Sequence, residues 1–135
     1  MKSIMKMMNS LAVIAVAATL VSAAPKEDNE VMTKEDGMYV VNTTTLGKTV
    51  TGYVSTTPVK IYIKKDKIVK VEALKNEETP KYMAKVKKGL MNKWDGMKVK
   101  DAMKTKVDGV TGATFTSDAI MQNIQLGLEY YKKNK

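Results

Sequence analysis

The sequence predicts an α+β domain over residues 38–135: a small antiparallel sheet with two main helices packed on it. Three observations carry this. Residues 59–74 read as two alternating runs about a polar turn, which marks a hairpin buried on one face. Tyr82, Val86, Leu90 and Trp94 recur every four residues, the spacing of one helix face. Ala119, Ile120, Ile124, Leu128 and Tyr131 form a second stripe of that kind. Strands first and helices after is the order of helices laid on an antiparallel sheet.

The chain starts with a segment outside this domain. Residues 1–23 read as a secretory signal peptide: Lys2 and Lys6 make a basic start, Leu11 to Val21 is apolar, and Val21-Ser22-Ala23 offers small residues for cleavage. The alternative is an uncleaved membrane anchor, but the apolar run has 11 residues against the roughly 20 of a spanning helix. Cleavage would leave 112 residues with 21 Lys against 14 acids, a balance of +7. Such a protein is exported, to a periplasm or to the cell surface and beyond.

Residues 24–37, APKEDNEVMTKEDG, are polar and aperiodic and read as a flexible lead-in. MYVVNT (38–43) and KTVTGYV (48–54) are β-branched and aromatic, and read as extended pieces. In VKIYIK (59–64), Val59, Ile61 and Ile63 share one face. Lys65-Asp66-Lys67 is a turn, and in IVKVEAL (68–74) Val69, Val71 and Ala73 oppose Lys70 and Glu72. Thr79-Pro80 starts a helix with a hydroxyl N-cap and a proline at its first position. Asp95-Gly96 ends that helix, and residues 97–106 read as either a short helix or an irregular crossing. The last helix begins near Ser117, with Asp118 in its first turn and Lys132 and Lys133 in its last, as the helix dipole favours.

Composition excludes several chemistries. The chain has no Cys, no His and no Arg. Disulfides, thiolate catalysis and iron–sulfur clusters are therefore ruled out, and so is the usual general base. Any redox chemistry needs an organic cofactor. The positive balance favours anionic partners, among them lipid head groups in a peripheral membrane contact, or acidic proteins. Export, scattered lysines and the missing arginines argue against nucleic acid.

The stretch DGVTGATFTS (108–117) stands apart. Gly109 and Gly112 permit positive φ and close backbone approach, and Ala113 adds little bulk. Thr111, Thr114, Thr116 and Ser117 supply hydroxyls ahead of a helix N-terminus, an arrangement that suits an anion such as phosphate. The plainer reading is a capped turn with incidental threonines.

DGVTGAT fits Asp, two variable residues, Ser or Thr, then Gly-Ala-Thr. It resembles the flavinylation motif of the FMN-binding domain family, which includes the C subunit of the sodium-pumping NADH:quinone reductase and the G subunit of the Rnf complex. TFTS continues the match, and GYVSTTPVKIYIKKDKIVKVEALKNEETP upstream is similar to the family's opening hairpin and Glu-Thr-Pro. The resemblance runs from about Gly52 to Tyr130. It implies FMN held covalently by a phosphoester to Thr114, made outside the cytoplasmic membrane by a flavin transferase with FAD as donor. It implies that Thr111, Gly112 and Ala113 form a thin substrate loop, that Asp108 aids recognition or orients it, and that Thr116 and Ser117 belong to the phosphate end. It places Glu78, Thr79 and Pro80 near the isoalloxazine ring. Lys81-Tyr82-Met83 stands where family members often have Gly-x-Gly, which leaves the ring more exposed or covered by Tyr82 or Met83. The implied function is an electron carrier between a membrane donor and an extracytoplasmic redox partner, rather than a standalone oxidoreductase. The alternative, supported only by the departure after Pro80, is a non-redox surface or binding module that holds an anionic ligand non-covalently.

Overall fold

A computed structural model describes residues 30–135. The expected signal peptide, and residues 24–29 of the expected lead-in, lie outside the described residues. Four strands form an antiparallel meander in the order β1-β2-β3-β4: β1 Met32–Glu35, β2 Met38–Asn42, β3 Val59–Lys64 and β4 Lys67–Ala73. Three helices follow: α1 Pro80–Gly89, α2 Val99–Lys104 and α3 Thr114–Asn134. The α+β expectation of a small sheet with two main helices holds, with α2 as a short third.

Residues 32–37, expected as the end of a flexible lead-in, are instead an edge strand and its turn. Asp36 and Gly37 take φ of 51° and 79°, the two left-handed positions of a type I′ hairpin. The β3–β4 turn uses the same geometry at Lys65 and Asp66, with φ of 51° and 62°. Within that hairpin Ile63 pairs with Ile68 but Tyr62 pairs with Lys70, which leaves Val69 unpaired as a bulge. The bulge flips the expected inward set. Ile68 is buried while Val69 is 44% exposed; Val71 stays buried as expected.

KTVTGYV is not a strand; Thr51 makes one isolated bridge to Thr56, and the rest is turn and loop. α1 does carry Pro80 at its first position, but the Thr79 hydroxyl makes no cap bond. Its carbonyl accepts from Tyr82 and Met83 instead. α1 stops at Gly89, short of Asp95-Gly96, yet Trp94 is still buried. The chain then runs beside β4: Gly96 N–H donates to the Ile68 carbonyl, Ile68 N–H to that of Met97, and Val99 N–H to that of Asp66. These bonds cover part of the outer edge of β4. The ambiguous segment 97–106 contains the short helix α2.

α3 starts at Thr114, three residues earlier than expected, so Asp118 falls beyond its first turn. Lys132 and Lys133 do sit in its last turn. α3 lies on β2 and β3, and α1 and α2 pack against it. At Gly127 the approach is close: an added Cβ would come 2.6 Å from Ile61 Cδ1 and 3.0 Å from Thr43 Cγ2. The core between these layers joins Val41, Ile61 and Ile68 to Leu90, Ile124 and Leu128.

The bulge is open to test. Ile68→Ala should cost about 2–5 kcal/mol in denaturant unfolding, and Val69→Ala less than about 0.5 kcal/mol. Equal costs, or the reverse ranking, would contradict the register.

Candidate functional site

The site begins with a buried carboxylate. Glu78 is 5% exposed. One oxygen, Oε1, accepts from Tyr53 N–H at 2.7 Å and from the Thr116 hydroxyl at 2.6 Å; the other, Oε2, accepts from Val54 N–H at 2.6 Å and Ser55 N–H at 2.7 Å. Its own segment is pinned as well: Glu78 N–H donates to Asn76 Oδ1 and Glu77 N–H to the Ser55 hydroxyl. Burial pushes the carboxyl upward. The hydrogen bonds from Thr116, Ser55, Val54 and Tyr53 outweigh it and hold the group below its ordinary value of 4.5. The carboxylate leaves no space at Gly52, where a Cβ would lie 2.3 Å from Oε1.

Glu78 thus ties the 52–55 loop to the start of α3. The second tie is Ser117, whose buried hydroxyl accepts from Val110 N–H at 3.0 Å. Between these ties the loop turns through Gly112 at φ 86°, a left-handed conformation that glycine adopts freely. Gly109 does not use the positive φ it permits; its backbone approaches closely instead, since an added Cβ would come 3.1 Å from Ser117 Cβ. Ala113 is buried as the helix N-cap, and Thr114 is the first helical residue. No side chain caps this end, so its first-turn N–H groups remain available to an outside acceptor. Thr114 is exposed, and its hydroxyl has no hydrogen bond among the described residues.

A hollow of about 230 Å³ opens here, lined by Tyr53, Tyr82 and residues 112–116. Tyr53 meets Tyr82 edge-on at 5.6 Å and stacks with Phe115 at 6.2 Å. Tyr53 and Phe115 are 59% and 65% exposed, an unusual display for large rings unless they serve contact. Two cations are near: a Cβ at Gly112 would come 3.1 Å from Lys85 Nζ, and Lys81 Nζ lies 5.4 Å from the centre of the Tyr82 ring.

The predicted site residues therefore divide. Gly112, Ala113, Thr114 and Thr116 line the hollow, with Thr116 turned onto Glu78. Asp108 and Thr111 are exposed on the approach to it, and Ser117 is buried beneath. Glu78 joins the site through Thr116. Pro80, with Glu78, lines a separate hollow that also holds Met83 and Lys87. Thr79 is half-buried at the N-cap of α1 and lines neither hollow. Of the two candidates to cover a ring, Tyr82 lines the hollow while Met83 is in the core. Phe115 and Lys85 were not foreseen. Phe115 had a signal, since it is the chain's only Phe and stands among hydroxyl residues.

Together these features define a class: a small α+β domain whose exposed threonine stands at an uncapped helix start, beside a lysine and an aromatic wall. Such a site suits a phosphate-bearing aromatic ligand. The family described as the FMN-binding domain matches residues 52–129. The chain belongs to that family, and FMN is the ligand the family match supports. Comparison with curated proteins and with solved structures gives no match.

The carboxylate makes a prediction with a definite sign. Glu78→Gln keeps the shape but turns one acceptor toward N–H groups as a donor, which should cost about 1.5–3 kcal/mol at neutral pH. The folded pKa is lowered, so this stabilisation is complete above the ordinary pKa and disappears as pH falls through the folded one. The stability gap between wild type and variant, read by urea unfolding, should close in that acid range. A gap independent of pH would show that the carboxylate charge is not what holds the loop.

Proposed function

We propose that the protein is an exported electron carrier that holds FMN covalently through Thr114. The observation that carries this reading is the state of the Thr114 hydroxyl: exposed, without a partner, and first in an uncapped helix. It is the hydroxyl of the motif's last threonine, and the Thr116 and Ser117 hydroxyls are turned inward onto Glu78 and Val110 N–H. Attachment joins Thr114 Oγ to the flavin phosphorus. The pyrophosphate bond of an FAD donor breaks, AMP leaves with the bridging oxygen, and the hydroxyl proton passes to solvent or to the transferase.

FMN, when bound, supplies one- and two-electron redox chemistry; the chain supplies the surroundings. The open N–H groups at the start of α3 and the Lys85 ammonium stabilise the phosphate charge. Tyr53, Tyr82 and Phe115 offer flat faces and edges to an aromatic ring. Glu78 keeps the Tyr53 loop and the Thr114 turn in fixed relation through Thr116. A single flavin site, with no second cofactor fold among the described residues, suits transfer between a membrane donor and an extracytoplasmic acceptor. Export, cleavage of the leader and the donor and acceptor belong to this proposal.

Production with an active flavin transferase tests it. Intact-mass analysis of denatured protein should show one FMN adduct, mapped to Thr114, and none in Thr114→Ala. Unmodified Thr114 beside an active transferase, or yellow colour lost on denaturation, would sink the covalent reading.

A further inference from the structure

The opposite end of α3 carries a different surface. Its walls are lysines from three distant segments: Lys65 and Lys67 from the β3–β4 turn, Lys98 and Lys100 from the start of α2, Lys132 and Lys135 from the end of α3. They surround a hollow of about 440 Å³. Asp66 and Tyr131 also face it. Asp66 is already engaged, since its carboxylate accepts from Lys135 at 2.6 Å and from the Tyr131 hydroxyl. Those bonds hold the Asp66 carboxyl below its usual range, with Lys135 the larger cause. The other five lysines make no ion pair among the described residues.

The backbone fixes this convergence. Lys67 and Lys98 form a β-bridge, and Val99 N–H donates to the Asp66 carbonyl. Bringing five unpaired cations together is unfavourable in the isolated domain. It becomes favourable when a multivalent anion lies across them. Lysine meets phosphate as a point charge, without the planar fork an arginine would bring, and so suits a dense array of head groups better than one shaped ligand.

We propose that this lysine-walled hollow docks the domain on anionic phospholipid head groups. Position decides between a lipid surface and an acidic redox protein. Thr114 and Lys132 are 18 residues apart on α3, about 27 Å along its axis. A redox protein seated here would be too far from Thr114 for efficient electron transfer, which falls steeply with distance. A membrane seated here needs no electron transfer at this end: it tethers the domain and leaves the flavin end free for the projecting part of a membrane donor and for the acceptor to reach in turn. That choice rests on the flavin reading above; anionic docking itself does not.

The test uses protein purified from its host and vesicles of phosphatidylcholine with or without phosphatidylglycerol. Wild type should bind the phosphatidylglycerol vesicles at low salt and release as salt rises. Each lysine near an anionic surface contributes about 1 kcal/mol. Lys98→Gln/Lys100→Gln/Lys132→Gln should therefore weaken binding about a hundredfold. Lys87→Gln/Lys88→Gln/Lys93→Gln, of equal charge but elsewhere, should weaken it less than about tenfold. Equal losses in the two variants would overturn the proposal. So would binding that ignores phosphatidylglycerol, or binding of polyglutamate or inorganic phosphate at the hollow without vesicles. Covalent flavin, measured on the same samples, should match wild type in both variants. Its absence throughout would fail the flavin reading and leave the vesicle result standing.

Discussion

One carboxylate organises this domain. Glu78 collects three consecutive backbone N–H groups and one hydroxyl, bringing two remote segments into one rigid corner. A buried charge is tolerated only when its oxygens are satisfied, and here each oxygen has two donors. The arrangement explains what surrounds it. Tyr53, Val54 and Ser55 give their N–H groups to Glu78, so a run that reads as a strand cannot pair as one. Gly52 has no room for a side chain because the carboxylate fills it. Thr116 is held inward, and that fixes the direction of everything on the first turn of α3.

That direction separates three hydroxyls close in sequence. Thr116 and Ser117 are buried and engaged with Glu78 and Val110 N–H. Thr114, at the very start of the helix, is left outside. Of these three, only the Thr114 hydroxyl stays exposed, through helix geometry and two inward bonds. The same helix carries the aromatic hollow at its start and the lysine-walled hollow at its end, so a single rod separates the two surfaces.

Much of this was legible in the sequence. The alternation of β3 and the apolar stripe of α3 report burial on one face, and the structure buries those faces; the four-residue run buries Val86, Leu90 and Trp94, though the last two lie beyond α1 and Tyr82 is half-buried. The motif Asp108 to Thr114 pointed to the family, and the family match covers it. The rest was hidden for physical reasons. Asp36-Gly37 is a strong hairpin signal, but the charged residues before it mask a short edge strand whose two outer residues are exposed. The bulge at Val69 depends on how two strands close, and an alternating run reads equally well in either register. Gly52 and Glu78 are 26 residues apart, and nothing local announces that one makes room for the other. The lysine hollow is likewise a product of folding, since its three pairs lie in segments with no shared motif.

Amide hydrogen exchange at Tyr53, Val54 and Ser55 tests the Glu78 tie most directly. These three N–H groups sit in a loop with two exposed side chains, yet each ends on a buried carboxylate. They should exchange slowly and as a group, opening together with Thr116 rather than one by one. Exchange as fast as at the exposed Thr45 N–H would mean that Glu78 does not hold the loop, and the site as described would not exist.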